Sequence, residues 1–369
     1  FYTPVSKSLH MLRGTFSMHM TLFSLATAIM SLFVPKLYQK FSFKKILTIS
    51  VIVAVVSTAA MALGKNAITF YILGAIRGMS TSLFSIVPIT MIINGWFEKK
   101  HGLATSIAFG FSGLGGTLCS PVLSSIISSF NWQMGYLLKA VILLLLCLPA
   151  VLYPFSMNAK DEGLLPYGYQ EKHETTQNQA TSSFHFMSVS FISFFIFGML
   201  ISCITSVTQH LPGYGESLGF PLTSCAILLS SGMMGNIVSK LVIGSLSDHF
   251  GEMKATLMMI TVNILGIVLL IIGRSMTLLI IGAFLFGSCY SLGAVAVPLL
   301  TKYFFKTKNY ARAFPTISFA SNVGAAISLS MVGYIYDFFG SYIYAFIIAL
   351  VMIFVSILLL MITTKTKEN

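Results

Sequence analysis

Charge is what this chain lacks most. Of 369 residues only 9% are Asp, Glu, Lys or Arg, against about 25% in an ordinary soluble domain. That excludes a soluble enzyme, a charged disordered regulator and a nucleic-acid-binding domain of the usual kind. The five cysteines, Cys119, Cys147, Cys203, Cys225 and Cys289, lie in apolar runs without CxxC spacing. They do not form a disulfide framework or a metal ligand set, and small packing residues are the simpler reading. Acids are scarcest: there are ten, and all fall in loops or at the ends of apolar runs.

What is abundant is hydrocarbon. Hydrophobic residues make up 56% of the chain, with 31 Phe and 20 Met, and the mean hydropathy is +0.87. A bilayer-spanning helix needs about 20 mostly apolar residues. Eleven runs of this kind are present, at 16–35, 46–64, 69–95, 103–128, 133–155, 185–209, 222–243, 255–273, 276–300, 311–336 and 342–363. They are too long, and too little alternating, for the strands of a membrane barrel. The expected class is therefore an all-α multi-pass protein of the cell (plasma or inner) membrane.

The one long polar stretch, 157–184, divides the chain into an N-terminal bundle (1–156), a linker and a C-terminal bundle (185–369). Lys and Arg placement orients it. Assigning the linker, the C-terminus and alternate loops to the cytoplasm puts 15 of the 22 cations there and four opposite. The net charge of +12 is thus mostly a topology signal, and no nucleic-acid partner is needed to explain it. Arg77, Lys139 and Lys240 are left inside spans.

The halves also repeat. LFVPKLYQKFSFKK (32–45) aligns with LVIGSLSDHFGEMK (241–254), and FNWQMGY (130–136) with FGSYIYA (339–345), both at an offset of 209. WFEKK (96–100) aligns with FFKTK (304–308) at 208. On this offset the 185–209 helix lacks a first-half counterpart. The expectation is a twelve-helix protein, two pseudo-symmetric six-helix bundles, whose first helix is absent from this chain. Repeats of this kind are typical of transporters, with the substrate site between the halves at midplane.

These residues resemble the major facilitator superfamily. Gly244-Ser-Leu-Ser-Asp248-His-Phe-Gly251-Glu-Met-Lys254 looks like its hallmark loop, with His249 in place of the usual basic residue. The first-half equivalent is degenerate, with Pro35 and Gln39 where Gly and Asp are expected. Within the superfamily the likeness is to the monocarboxylate transporter and oxalate:formate antiporter group. It rests on Trp96-Phe97 with Gly102-Leu-Ala-Thr-Ser, on Gly110-Phe-Ser-Gly-Leu-Gly-Gly116, on His210-Leu-Pro-Gly-Tyr214, and on Gly333-Tyr-Ile-Tyr-Asp337. The resemblance implies a cytoplasmic gate containing Gly244, Asp248 and Gly251. It places a substrate-binding cation at Lys240. It also puts Asn236, which cannot titrate, where the group often has a proton-coupling acid.

A cation inside a bilayer is expensive enough to need a reason. Two readings stand for Lys240: a clamp for an anionic substrate, or a side chain that snorkels to the interface. Arg77 either lines the cavity or bonds backbone carbonyls, and Lys139 is expected to snorkel outward. Asn322 and Tyr290 are candidate substrate hydrogen-bond donors, with polar helix packing as the alternative. His210 is a candidate proton-linked group, or a plain interfacial histidine.

With no acid in any span, an anionic ligand is the natural counter-charge. The reading is a secondary transporter of a small organic anion, monocarboxylate-like, with a proton or counter-anion as the coupled ion and no cofactor or metal. The alternatives are a carrier of drug-like or neutral solutes, a non-transporting sensor, and a membrane enzyme, for which no nucleophile–base constellation is visible.

Overall fold

In the computed structural model the chain is helical, and it describes residues 1–11, 13–153, 155–169 and 185–368. The first half comprises α1 (Tyr2–Ser8), α2 (Arg13–Ser31), α3 (Val34–Lys40), α4 (Phe43–Ala60), α5 (Ala67–Ser82), α6 (Ile86–Trp96), α7 (His101–Ser129) and α8 (Trp132–Leu152). The second comprises α9 (Val189–Val207), α10 (Leu211–Ser217), α11 (Leu222–Phe250), α12 (Glu252–Ile272), α13 (Met276–Phe286), α14 (Cys289–Ser291), α15 (Val297–Phe339) and α16 (Ile343–Glu368). Among the described residues no strand forms. Nine helical segments are long and apolar enough to cross a bilayer, and α2 with α3, bent by 52°, makes a tenth. Helix α7 adds 29 residues of helix.

Caps set several of these helices. Asn66, Asn131, Ser188 and Ser275 each accept from a backbone N–H three residues on, which satisfies a donor that a helix start leaves open. Three expected spans are not single rods. The 69–95 run breaks between α5 and α6. The 276–300 run contains a π-turn at Leu292–Ala296. Helix α15 is two helices joined at Lys306, whose backbone is non-helical (φ 58°, ψ 166°). Hydropathy averages over a window and cannot register such breaks, which depend on individual backbone angles.

The repeat is visible in three dimensions. Helices α2 and α11, α4 and α12, and α5 and α13 begin 209 residues apart. Their crossings match as well. A Cβ on Gly78 would strike the carbonyl of Phe23, and one on Gly287 that of Gly232; both pairs are related by the same offset. In each half a glycine lets two helix backbones touch, the close approach that membrane bundles build from small residues.

The halves meet along two seams, α7 against α11 and α2 with α6 against α15. The C-terminal half carries the larger core, around Phe194, Phe197, Ile201, Leu211, Phe286 and Phe346. Of the expected linker, 155–169 lies against the α6–α7 turn: Trp96 Nε1 donates to the Ser156 carbonyl at 2.9 Å, and Glu98 N to the Tyr167 carbonyl at 3.0 Å. Its remainder, 170–184, lies outside the described residues.

Gly287→Leu should destabilise the purified protein by about 1–3 kcal/mol or more through overpacking. It should lower the melting temperature in detergent, whereas Gly333→Ala, whose Cβ meets nothing within 4 Å, should leave it unchanged.

Candidate functional site

Small polar residues recur along one face of α9, at Ser202, Thr205, Ser206 and Gln209, the spacing of a helix stripe. The π-turn beside Tyr290 and the upper part of α15 bring a second polar set against it. Between them lies a cavity of about 1030 Å³. Gln209, His210, Tyr290, Ser318, Ser321 and Asn322 line it together with Ser202, Thr205 and Ser206, and Met20 and Thr21 of α2 and Ile86 of α6 contribute from the other bundle.

Its polar groups are mostly held in place. Gln209 Nε2 donates to Tyr290 Oη at 3.1 Å. Asn322 Nδ2 donates to the Ser318 carbonyl at 2.8 Å, and Ser321 Oγ to the Gly198 carbonyl at 3.1 Å. The Thr205 hydroxyl donates to the Ile201 carbonyl at 2.8 Å. Donor hydrogens are thus largely used within the protein, while hydroxyl and amide oxygens keep lone pairs toward the cavity. No Lys, Arg, Asp or Glu is among its lining residues.

So the structure brings Tyr290, Asn322 and His210 to one cavity and places the other candidates elsewhere. Lys240 and Asn236 sit in the α7–α11 seam. Lys240 is 3% exposed, so it does not snorkel to the interface. Its Nζ donates to Ser112 Oγ at 2.9 Å and to the Phe109 carbonyl at 3.2 Å, both on α7. Asn236, one turn away, is also buried, with its Nδ2 4.0 Å from Met233 Sδ. Arg77 lies over the Phe23 ring at 4.7 Å, between α5 and α2. Lys139 is half-buried rather than reaching outward, with its Nζ 5.6 Å from the Phe1 ring centre.

The three gate candidates gather at the end of the molecule that carries the Lys-rich loops. Helix α7 starts from Lys100 in the left-handed region with no side-chain cap of its own. Asp248 of α11 supplies one from the opposite bundle. Its Oδ1 accepts from Gly102 N at 2.9 Å and its Oδ2 from Leu103 N at 2.8 Å. A carboxylate at a helix N-terminus also meets the positive end of the helix dipole. Gly244 allows this contact, since a Cβ there would strike Ser106 Oγ. Gly251, at φ 85°, turns the chain from α11 into α12, a backbone region that favours glycine.

With this geometry described, the comparisons with known proteins become informative. The sequence model of the Major Facilitator Superfamily matches residues 1–277 and 235–369. The chain belongs to the major facilitator superfamily. It is therefore a multi-pass membrane transporter and not an enzyme.

Monocarboxylate transporter 12 of Xenopus laevis is 25% identical over 325 residues, covering 80% of this chain and 69% of that protein. The transporter YcxA of Bacillus subtilis is 25% identical over 154 residues, 42% of this chain and 38% of that one. Among solved structures, the transporter FucP in its outward conformation superposes with TM-score 0.68 at 14% identity, covering 98% and 93% of the two chains. The human organic anion transporter MFSD10 gives 0.66 at 15% identity, covering 97% and 87%. Such structural matches establish the fold.

The residues missed from sequence are Ser202, Thr205 and Ser206 of the cavity, and Phe109 and Ser112 as partners of Lys240. The α9 stripe was a readable signal for the first set. The second depends on a contact between bundles that no local pattern encodes.

Asp248→Ala should loosen this facilitator's α7–α11 seam by about 1–2 kcal/mol, the usual worth of a lost N-cap. A cysteine placed at Ser106, 0% exposed in the closed seam, should then react about 5- to 30-fold faster with a maleimide applied from the Lys-rich side. An unchanged rate would show that Asp248 does not hold the seam closed.

Proposed function

We propose that the protein is a secondary active transporter of a small organic anion, monocarboxylate-like, working by alternating access between its two bundles. The observation that carries the anionic class is Lys240. It is buried, bonded to two neutral oxygens of the opposite bundle, and forms no ion pair among the described residues. A buried ammonium with only neutral partners is a charge that an anionic ligand can balance.

The positive-inside pattern makes the Lys-rich end cytoplasmic. On that assignment the seam closed by Asp248 is the cytoplasmic gate, and the cavity beneath His210 and Tyr334 faces outward. Substrate enters among Gln209, Tyr290 and Asn322, whose polar groups orient it. Opening of the seam then withdraws Phe109 and Ser112 from Lys240, and the substrate carboxylate replaces them. Asn236 cannot carry a proton beside Lys240. A coupled proton would be handled at His210 on the cavity wall, and exchange against a counter-anion needs no titrating group. Arg77, behind Phe23, adds positive potential to the N-terminal bundle.

The sequence relationship to monocarboxylate transporter 12 supports the same class. A second reading, transport of a neutral solute, is favoured by one observation: the cavity wall is uncharged.

Uptake by proteoliposomes holding the full chain separates the two, with labelled carboxylates tested beside labelled polyols and sugars. Carboxylate uptake should fall about 10- to 100-fold in Lys240→Ala, the loss expected for a charge-assisted hydrogen bond, and should be largely kept in Lys240→Arg. Uptake of a neutral solute alone, insensitive to Lys240→Ala, would replace the anion reading. His210→Gln should abolish stimulation by an inward proton gradient if the proton is the coupled ion.

A further inference from the structure

A second space adjoins the polar cavity and differs from it in chemistry. It is a groove of about 540 Å³ between α2 and the upper half of α15. Leu25, Ala326, Ile327, Met331, Ile335 and Phe338 are among its walls. Only two of its lining residues, Thr21 and Tyr334, carry a polar side chain, and these same two also line the polar cavity. The two spaces therefore share a wall where hydrogen-bonding groups give way to hydrocarbon.

The groove follows from how the two helices cross. Near the Lys-rich end α2 touches α15, and Ser31 Oγ donates to the Pro315 carbonyl at 3.2 Å. Toward Thr21 and Tyr334 the helices part. Ala326, only 6% exposed, forms the floor, while Ile327 and Phe338 on the rim are 54% and 84% exposed and meet the bilayer. From Val323 to Phe338 the wall extends about 22 Å at the helical rise per residue, longer than a medium-length alkyl chain.

We infer that the transported anion is amphipathic and that this groove binds its hydrocarbon tail while the polar head occupies the cavity beside Gln209, Tyr290 and Asn322. The inference rests on the anion reading above. A groove holding only bilayer lipid would not need to open into a hydrogen-bonding cavity. A single molecule with a polar head and an apolar tail matches both chemistries and their junction. Each methylene buried there should improve apparent affinity about fourfold, from about 0.8 kcal/mol per CH₂, until the groove is filled.

The test is photolabelling of the full chain in lipid nanodiscs with a ten-carbon carboxylate bearing a terminal diazirine, with adducts mapped by mass spectrometry. Adducts are expected on segments 21–25 and 323–339. Excess decanesulfonate should reduce them at least fivefold, and equal concentrations of acetate or decanol should not. Ala326→Phe should abolish labelling by filling the floor. Ile327→Trp, on the exposed rim and compatible with folding, should reduce it at least fivefold.

The inference is overturned if decanol competes as well as decanesulfonate. It is also overturned if a diazirine phosphatidylcholine labels the same residues and decanesulfonate does not displace it, because the groove would then be a lipid site. Uptake of short carboxylates without head-dependent labelling would sink the tail site and leave the transport reading intact. Head-dependent labelling without uptake of any carboxylate would do the reverse.

Discussion

The crossing of α7 and α11 is the constraint on which the conformation depends. Three features act together within a few helical turns. Gly102 and Gly244 let the two backbones meet, since a Cβ on Gly102 would lie 2.6 Å from the Gly244 carbonyl. Asp248 caps α7 across the gap with both carboxylate oxygens. Lys240 reaches the carbonyl of Phe109 and the hydroxyl of Ser112. Each bond joins one bundle to the other, so separating the bundles at this end breaks all of them together. In a low-dielectric membrane interior such bonds are strong while made, and leaving their partners unmade is costly. Such a seam has closed and open arrangements with little between.

The opposite seam shows what the duplication kept and what it discarded. Ser31 is the 209-offset counterpart of Lys240, and it too bonds across the bundles, to Pro315. Gln39 is the counterpart of Asp248, but it lies exposed and caps nothing. Pro35 replaces Gly244 and starts α3 after a bend. The charged lock therefore exists on one side only. Opening at the Lys-rich end is governed by α7 and α11, while α2 and α15 act more as a hinge and leave a lateral groove toward the other end.

The polar cavity is built to be tolerable in a membrane. Serine and threonine hydroxyls on α9 donate to carbonyls of their own helix, Ser206 to Ser202 and Thr205 to Ile201. Others donate between helices, Ser328 to Cys203 and Ser321 to Gly198. A donor satisfied within the protein removes most of the cost of burying a hydroxyl. The remaining acceptors can then face a ligand without destabilising the empty state.

Sequence alone determined the membrane class, the span positions, the repeat and the fold family. Those properties rest on averages over about 20 residues or on local motifs, and a bilayer enforces them on each helix separately. It also placed Asp248, Gly244 and Gly251 together, because they share one short loop. Tertiary structure decided which face of each span meets which neighbour. Lys240 and Tyr290 are both polar positions in apolar runs, and nothing local distinguishes a residue in the seam from one on the cavity wall. That difference comes from the rotation of α11 and the π-turned segment after α14 against helices far away in sequence, so Tyr290, Asn322 and His210 meet in the cavity while Lys240 holds the two halves closed.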